Sequence, residues 1–186
     1  TLTEIVLLYF AGLPLYDSIC NSFSTVSTGG FSPKIDSIGS YDSAYVDIIV
    51  TFFMLLSGVN FVILYYIFNH IKDNSKSIQS RLRDIYILIR DNEELKVYLF
   101  LIFSCSSLIL LNLVLEYNED YSFNTNFSYT TFQTVSLLTG TGFTTTNYAL
   151  WPKMSIFVLL LIMFMGGCAG STTGGMKTVR IMLLFK

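Results

Sequence analysis

Long apolar runs that carry almost no charge restrict most strongly what this chain can fold into. Residues 45–68 and 95–115 each match the ~20 residues that a helix needs to cross a bilayer. Only 13% of the 186 residues are charged and 52% are hydrophobic, whereas soluble domains carry roughly 25% charged residues. The pattern predicts an integral membrane protein and excludes a disordered chain, a nucleic-acid-binding protein and most soluble enzymes.

Other apolar runs are incomplete or interrupted. Residues 5–13 provide about half of a spanning helix at the very start of the chain, and the apolar run 181–185 stops at Lys186. We therefore expect the chain to be part of a longer polypeptide. A third span begins at 155–165, meets a glycine-rich stretch and resumes at 179–185.

The basic residues are distributed unevenly between the two sides of the predicted membrane. A polar linker, residues 69–94, together with the adjoining Lys96 holds six of the 11 basic residues: Lys72, Lys76, Arg81, Arg83, Arg90 and Lys96. The positive-inside rule places this linker in the cytoplasm, with Lys177, Arg180 and Lys186 on the same side. Within the linker we expect a short helix over 75–90, with Asp91 and Glu94 capping the span that follows.

Two stretches are similar to each other at an offset of 112 residues. Residues 24–32 read STVSTGGFS and residues 136–144 read SLLTGTGFT, so each is rich in hydroxyls and ends in Gly-Phe-hydroxyl. Each follows a segment of about a dozen residues, 15–27 or 127–138, which is too short to span but long enough for a helix that enters halfway. The chain therefore predicts the order span, half-helix, glycine loop, span, repeated twice.

Such a repeated unit is typical of proteins that select one ion over others. Irregular backbone is tolerated at membrane depth only where it is buried in protein or lines a watery path. Rings of backbone carbonyls replace the hydration shell of potassium, and glycine adopts the required dihedral angles at low cost. A half-helix also directs its partially negative C-terminus towards the cation.

The glycine-rich stretch at 166–175 has three interpretations. A phosphate-binding loop is excluded because Met176 precedes Lys177 and no strand comes before it. Close packing of helices through the small residues 166–170 remains open. We favour a broken helix whose loop crosses the ion path below the filter.

Three strings together resemble one known family: SFSTVSTGGFS at 22–32, LTGTGFTTTNYALWP at 138–152 and FMGGCAGSTTGGMKTVR at 164–180. They are similar to the membrane subunit of the Trk/Ktr/HKT superfamily of potassium transporters, and most similar to its TrkH type. The resemblance implies an all-α integral membrane protein built of span–pore helix–span repeats, with re-entrant filter loops and one broken transmembrane helix. It implies that residues 1–70 are the second repeat with a truncated first helix, 71–94 the cytoplasmic linker and 95–186 the third repeat.

The resemblance also implies roles for individual residues. The implied selectivity filter consists of Thr28, Gly29, Gly30, Phe31, Gly140, Thr141, Gly142 and Phe143, with potassium at Thr28, Gly29, Gly140 and Thr141. The implied gate loop contains Gly166, Gly167, Gly170, Ser171, Thr172, Thr173, Gly174 and Gly175, with Lys177 and Arg180 at its inner end. Two positions depart from the family pattern: Gly140 stands where threonine is more usual, and Thr173 replaces a smaller residue.

The function expected from this resemblance is potassium uptake across the bacterial inner membrane by a multi-pass protein. Membrane lipid, a second copy of the protein and a cytosolic nucleotide-binding subunit of the TrkA type are the implied partners, and no organic cofactor is expected. No acid/base or nucleophilic pair is visible, so we expect no enzymatic activity. Two alternatives remain open: a two-repeat cation channel that assembles as a dimer, and a broken-helix secondary transporter for another solute.

Overall fold

The computed structural model describes residues 1–72, 78–116 and 123–185. In these residues the chain is helical, and apart from one isolated bridge between Met165 and Met176 they form no strand. The helices are α1 (Leu2–Phe10), α2 (Leu15–Val26), α3 (Ala44–Ser57), α4 (Phe61–Lys72), α5 (Ile78–Asp91), α6 (Glu93–Glu116), α7 (Phe123–Leu138), α8 (Lys153–Phe164) and α9 (Thr178–Phe185). The all-α class is therefore confirmed.

The helices pack in two groups that share one junction. Helices α1, α2 and α3 contact one another, as do α6, α7 and α8, and α3 packs against α7 to join the groups. The core is built from apolar side chains of both groups, including Leu8, Val46, Met54, Ile109, Phe132 and Val135. The exposed apolar side chains are numerous on the outside of α1, α6 and α8, which suits a surface in contact with lipid or with further protein.

Helices α2 and α7 have 12 and 16 residues, so both are shorter than a membrane span. The buried face of α2 is polar, and α7 buries polar residues beside its apolar ones. Thr25 donates to the carbonyl of Asn21, Thr130 to that of Asn126 and Thr134 to that of Thr130, each at 2.7 Å. These hydroxyls are satisfied within their own helix, which allows polar residues to lie inside the protein. Helix α7 begins four residues earlier than predicted.

The prediction of one continuous span over 45–68 is wrong. Helix α3 ends at Ser57 and α4 begins at Phe61, and the two axes are bent by 105°. Two backbone hydrogen bonds to a distant loop stabilise the break. The Gly58 carbonyl accepts from the Cys168 amide at 2.9 Å, and the Phe61 amide donates to the Gly170 carbonyl at 3.2 Å. The Asn60 side chain accepts from the Val62 amide at 2.9 Å and starts α4.

Helix α6, with 24 residues, is the single helix in the described part of the chain that is long and apolar enough to cross a membrane by itself, and α3 with α4 passes the same test as a bent pair. The linker helix is present as α5, while Lys76, Lys186 and the predicted start at 75–77 lie outside the described residues. The predicted cap is wrong. Asn92, not Asp91 with Glu94, caps α6 by accepting from the Leu95 amide at 3.0 Å.

Candidate functional site

Two short loops directly follow the C-termini of the half-length helices. We call residues 28–31 the first filter segment and residues 140–143 the second filter segment, after the role that the sequence resemblance implies for them. The φ angles are +53° at Thr28, +71° at Gly30, +71° at Gly140 and +83° at Gly142. This left-handed region costs an L-residue about 1–2 kcal/mol, so glycine at three of the four positions explains how the chain can adopt it. The backbone therefore turns at matching places in both segments.

The structure brings the two filter segments into direct contact. A Cβ atom added to Gly30 would overlap the backbone carbonyl of Thr141, so the two backbones meet without a side chain between them. The loops that follow are also joined, because the Gly39 amide donates to Thr144 at 3.0 Å and the Thr144 amide donates to the Ser37 hydroxyl at 3.3 Å. Segments that are 112 residues apart thus form one continuous site.

The two segments differ in how far the chain encloses them. Phe143 is fully buried, and its carbonyl accepts from the buried Ser136 hydroxyl at 2.7 Å. Phe31, at the equivalent position, is 81% exposed. The second filter segment is therefore fixed inside the described structure, whereas the first is open on one side.

A polar network fixes the loop beyond the first filter segment to the start of α2. The Tyr41 hydroxyl donates to the Asp17 carboxylate at 2.9 Å and accepts from the Asn21 amide group at 3.1 Å. Burial is the main cause that raises the pKa of Tyr41, and the hydrogen bond to Asp17 raises it further. The phenol therefore stays protonated, and remains a donor, throughout the physiological range.

Residues 166–175, the Gly-rich loop, separate α8 from α9. The loop closes on itself, because the Gly166 amide donates to Met176 at 2.9 Å and the Met176 amide donates to Phe164 at 3.1 Å. Gly170 and Gly175 have φ near +73° and +72°. Since these residues are not helical, the interpretation of 166–170 as a helix-packing stripe is wrong, and a non-helical loop separates α8 from α9.

Polar contacts within the segment hold the Gly-rich loop in its shape. Thr173 is buried, and its hydroxyl accepts from the Gly167 amide at 3.0 Å and exchanges a hydrogen bond of 2.7 Å with Ser171. The Lys177 ammonium donates to the carbonyls of Ser171 and Thr173 and to the Thr173 hydroxyl. Thr173 thus organises the loop, whereas Arg180 lies exposed on α9.

The Gly-rich loop also contacts the first filter segment. The Thr28 hydroxyl lies 3.0 Å from the Thr172 carbonyl, and the Thr172 hydroxyl lies 3.0 Å from the Val26 carbonyl and 3.4 Å from that of Ser57. Val26 and Ser57 are the last residues of α2 and α3, so Thr172 meets backbone carbonyls that a helix C-terminus leaves without intrahelical partners.

The second filter segment comes close to the same loop. A Cβ atom on Gly140 would lie 3.7 Å from the Gly174 amide nitrogen. The loop therefore lies beside both filter segments at the ends of the helices that precede them.

Sequence reasoning missed three participants in this site. Gly58 and Asn60 form the break between α3 and α4 that contacts the loop. In the sequence, the only indication of this break was a glycine close to Asn60, the one strongly polar side chain deep in an apolar run. Glu94 accepts from the Ala169 amide and, at 3.0 Å, from the Thr178 hydroxyl. Its position in the first turn of α6 suggested only a capping role.

Comparison with known proteins gives one consistent result. A family model described as TrkH, cation transport protein, matches residues 5–186. The potassium uptake protein TrkG of the Trk system of Escherichia coli (strain K12) is 37% identical over 182 residues, which are 98% of this chain and 34% of that protein. The TrkH protein of Vibrio parahaemolyticus is 39% identical over 188 residues, covering 99% of this chain and 36% of that protein.

A solved structure agrees with the sequence comparisons. The crystal structure of the potassium transporter TrkH from Vibrio parahaemolyticus matches with a TM-score of 0.87 and 34% sequence identity, covering 99% of this chain and 37% of that one. The chain spans about a third of the length of the curated relatives that it matches.

Proposed function

The chain belongs to the TrkH family of cation transport proteins, and on this premise we propose that it forms part of a path for potassium uptake across a membrane. Relatives over nearly its whole length are named potassium uptake proteins of the Trk system. Potassium enters this proposal as the transported ion and not as a resident cofactor.

One observation carries the proposal: two segments with left-handed turns at matching places meet backbone to backbone at Gly30 and Thr141. Backbone carbonyls that face a common axis can replace the water around a potassium ion without adding charge. The carbonyls of Thr28, Gly29, Gly140 and Thr141 are the proposed ligands, with Gly30, Phe31, Gly142 and Phe143 shaping the two segments. Helices α2 and α7 end beside them, so their partially negative C-termini favour a cation.

The two filter segments provide two quarters of the proposed filter. The order half-length helix, filter segment, helix occurs twice, which supports one repeat over residues 1–70, a linker over 71–94 and another repeat over 95–186. The exposed Phe31 supports further segments beside the first filter segment, because its counterpart Phe143 is buried. A complete ring would then require quarters that lie outside this chain.

The proposed location is the bacterial inner membrane, with the linker in the cytoplasm. The basic residues between α4 and α6 support this orientation, and α6 is long and apolar enough to span. The filter segments then lie towards the outer side and α5 faces the cytoplasm. A second copy of the protein and a nucleotide-binding regulatory subunit remain proposed partners.

The Gly-rich loop is the proposed gate. It interrupts what would otherwise be one helix, and it contacts the first filter segment and the ends of α2 and α3. Non-helical backbone at membrane depth is expected where it is buried in protein or lines a watery path, and several residues of this loop are exposed. A loop that lies across the path would have to move before ions pass.

Uptake of rubidium and sodium by the intact protein in membrane vesicles tests the proposal. Rubidium stands in for potassium. The variant is Gly142→Ser, because the φ angle of +83° at this position disfavours any residue with a Cβ atom. We expect wild type to prefer rubidium and the variant to lose much of that preference. An unchanged rubidium-to-sodium ratio would contradict the filter assignment, and uptake of another solute instead of rubidium would favour a secondary transporter.

A further inference from the structure

We infer that Glu94 is a positioning residue which holds the Gly-rich loop from a separate helix, an inference that rests on the proposed gate. One carboxylate oxygen, Oε1, accepts from the Ala169 amide and from the Thr178 hydroxyl. Ala169 lies in the first half of the loop and Thr178 is the first residue of α9. A single oxygen of α6 therefore ties both sides of the interruption together.

The contact matters because it adds an anchor on α6 to the backbone hydrogen bonds that the loop makes with the break between α3 and α4. Five of its ten residues are glycines, and an unfixed glycine backbone gains much entropy when it is released. Lys177 holds the loop within its own segment, and Thr172 ties it to α2 and α3. Glu94 supplies the charged acceptor from α6, and hydrogen bonds to a charged group are about twice as strong as neutral ones.

The place of Glu94 in the chain gives the contact a further consequence. Helix α5 ends at Asp91, and the next residue, Asn92, caps α6. Glu94 lies in the first turn of α6, directly after this cap. Helix α5 also packs against α6. The linker helix and the Gly-rich loop are thus attached to one turn, so a displacement of the α5–α6 junction would reach the loop through the Glu94 carboxylate.

The first test reads the position of the loop without relying on transport. Cys168 is fully buried next to Ala169, so its modification by N-ethylmaleimide reports opening of the loop in the intact protein in membranes. Peptide mass spectrometry distinguishes it from Cys20 and Cys105. We expect Glu94→Ala to raise the modification rate about tenfold, the size expected for loss of a hydrogen bond to a charged group.

Three further variants separate positioning from general damage. Glu94→Gln keeps an oxygen acceptor but removes the charge, so its rate should rise only about threefold, whereas a rise caused by loss of charge alone would be as large as in Glu94→Ala. Thr178→Val keeps the shape but removes one of the two donors, so it should lie between wild type and Glu94→Ala. Asp91→Ala removes an exposed carboxylate three residues earlier and should leave the rate unchanged. Equal Cys168 rates in wild type, Glu94→Ala and Thr178→Val would overturn the inference.

Rubidium and sodium uptake by the same variants separates this inference from the proposed function. Glu94→Ala should raise rubidium uptake while the rubidium-to-sodium ratio stays as in wild type, since no filter residue is changed. If wild type takes up no rubidium, the proposed function fails while the Cys168 rates still decide the role of Glu94. If wild type takes up rubidium and Glu94→Ala changes neither uptake nor Cys168 rate, the inference alone fails.

Discussion

The hydroxyl of Thr28 lies 3.0 Å from the carbonyl of Thr172, although the two residues are 144 positions apart in the chain. The first residue of the proposed filter and the middle of the proposed gate are therefore in direct contact. Because Thr172 in turn reaches the carbonyls of Val26 and Ser57, movement of the Gly-rich loop would release the ends of α2 and α3 together.

Replacing Thr172 by valine should weaken the closed position of the loop. The change keeps the side-chain shape but removes the hydroxyl that contacts the C-terminal carbonyls of α2 and α3. Loss of a typical hydrogen bond should destabilise the closed position by about 1 kcal/mol. We expect rubidium uptake to rise about fivefold at an unchanged rubidium-to-sodium ratio. Thr172→Ser keeps the hydroxyl and is the matched control. Uptake by Thr172→Val at or below the level of Thr172→Ser would argue against a gate at this position.

Gly30→Ala should disturb the filter more than Gly29→Ala. The methyl group at Gly30 would overlap the Thr141 carbonyl at a φ of +71°, whereas at Gly29 it would meet the Ser27 hydroxyl at 3.3 Å without positive φ. The left-handed dihedral angle alone would destabilise the native shape of the segment by about 1–2 kcal/mol in Gly30→Ala. We therefore expect the ratio of rubidium to sodium uptake to fall about tenfold or more. Competitive uptake of the two ions measures it, and an equal or larger fall in Gly29→Ala would be inconsistent with this packing.

The break between α3 and α4 should tolerate no larger residue at Gly58. A Cβ atom there would overlap the hydroxyl of the buried Tyr98, and overpacking of this kind costs about 1–3 kcal/mol. We expect Gly58→Ala to lower the melting temperature of the purified protein. Tyr98→Phe removes the overlapping oxygen, so the double variant should recover part of the loss. No recovery in the double variant would place the cause elsewhere.

Tyr41→Phe should loosen the loop beyond the first filter segment. The variant loses the hydroxyl that donates to Asp17. Because the acceptor is a buried carboxylate, this loss should lower the free energy of unfolding by about 1–3 kcal/mol. Since the folded pKa of Tyr41 is raised, this stability is present below the unfolded pKa of about 10 and is lost as pH rises through the folded value.

Thermal unfolding of wild type and Tyr41→Phe between pH 7 and pH 11 measures the difference. Wild type should melt at a higher temperature at pH 7, and the two melting temperatures should converge towards pH 11. A constant difference across the range would mean that Tyr41 does not titrate as described.

The helices and the interruption before α9 could be predicted from local pattern. Apolar runs and their lengths gave α6 and α8, and hydroxyl-rich segments before glycine gave α2 and α7. The break at Gly58 could not be predicted in this way, because residues 45–68 have the composition of a span. It depends on the Cys168 amide and the Gly170 carbonyl, which lie more than a hundred residues away.

Glu94 shows the same limit within the candidate site. An acidic residue in the first turn of a helix is typical of capping, and its sequence neighbours suggest nothing else. Only the folded chain shows that Asn92 is the cap and that the Glu94 carboxylate meets Ala169 and Thr178. The turns in the two filter segments could be predicted from sequence because positive φ angles favour glycine locally, whereas contacts between distant segments could not.

The location of bound cation in a crystal of the intact protein grown in rubidium would show whether the two filter segments bind the transported ion. Anomalous scattering identifies rubidium independently of the refined protein atoms. We expect peaks in contact with the backbone carbonyls of Thr28, Gly29, Gly140 and Thr141, on the outer side of the Gly-rich loop. Well-ordered filter segments with no peak beside them, or rubidium bound at another place along the path, would contradict this expectation.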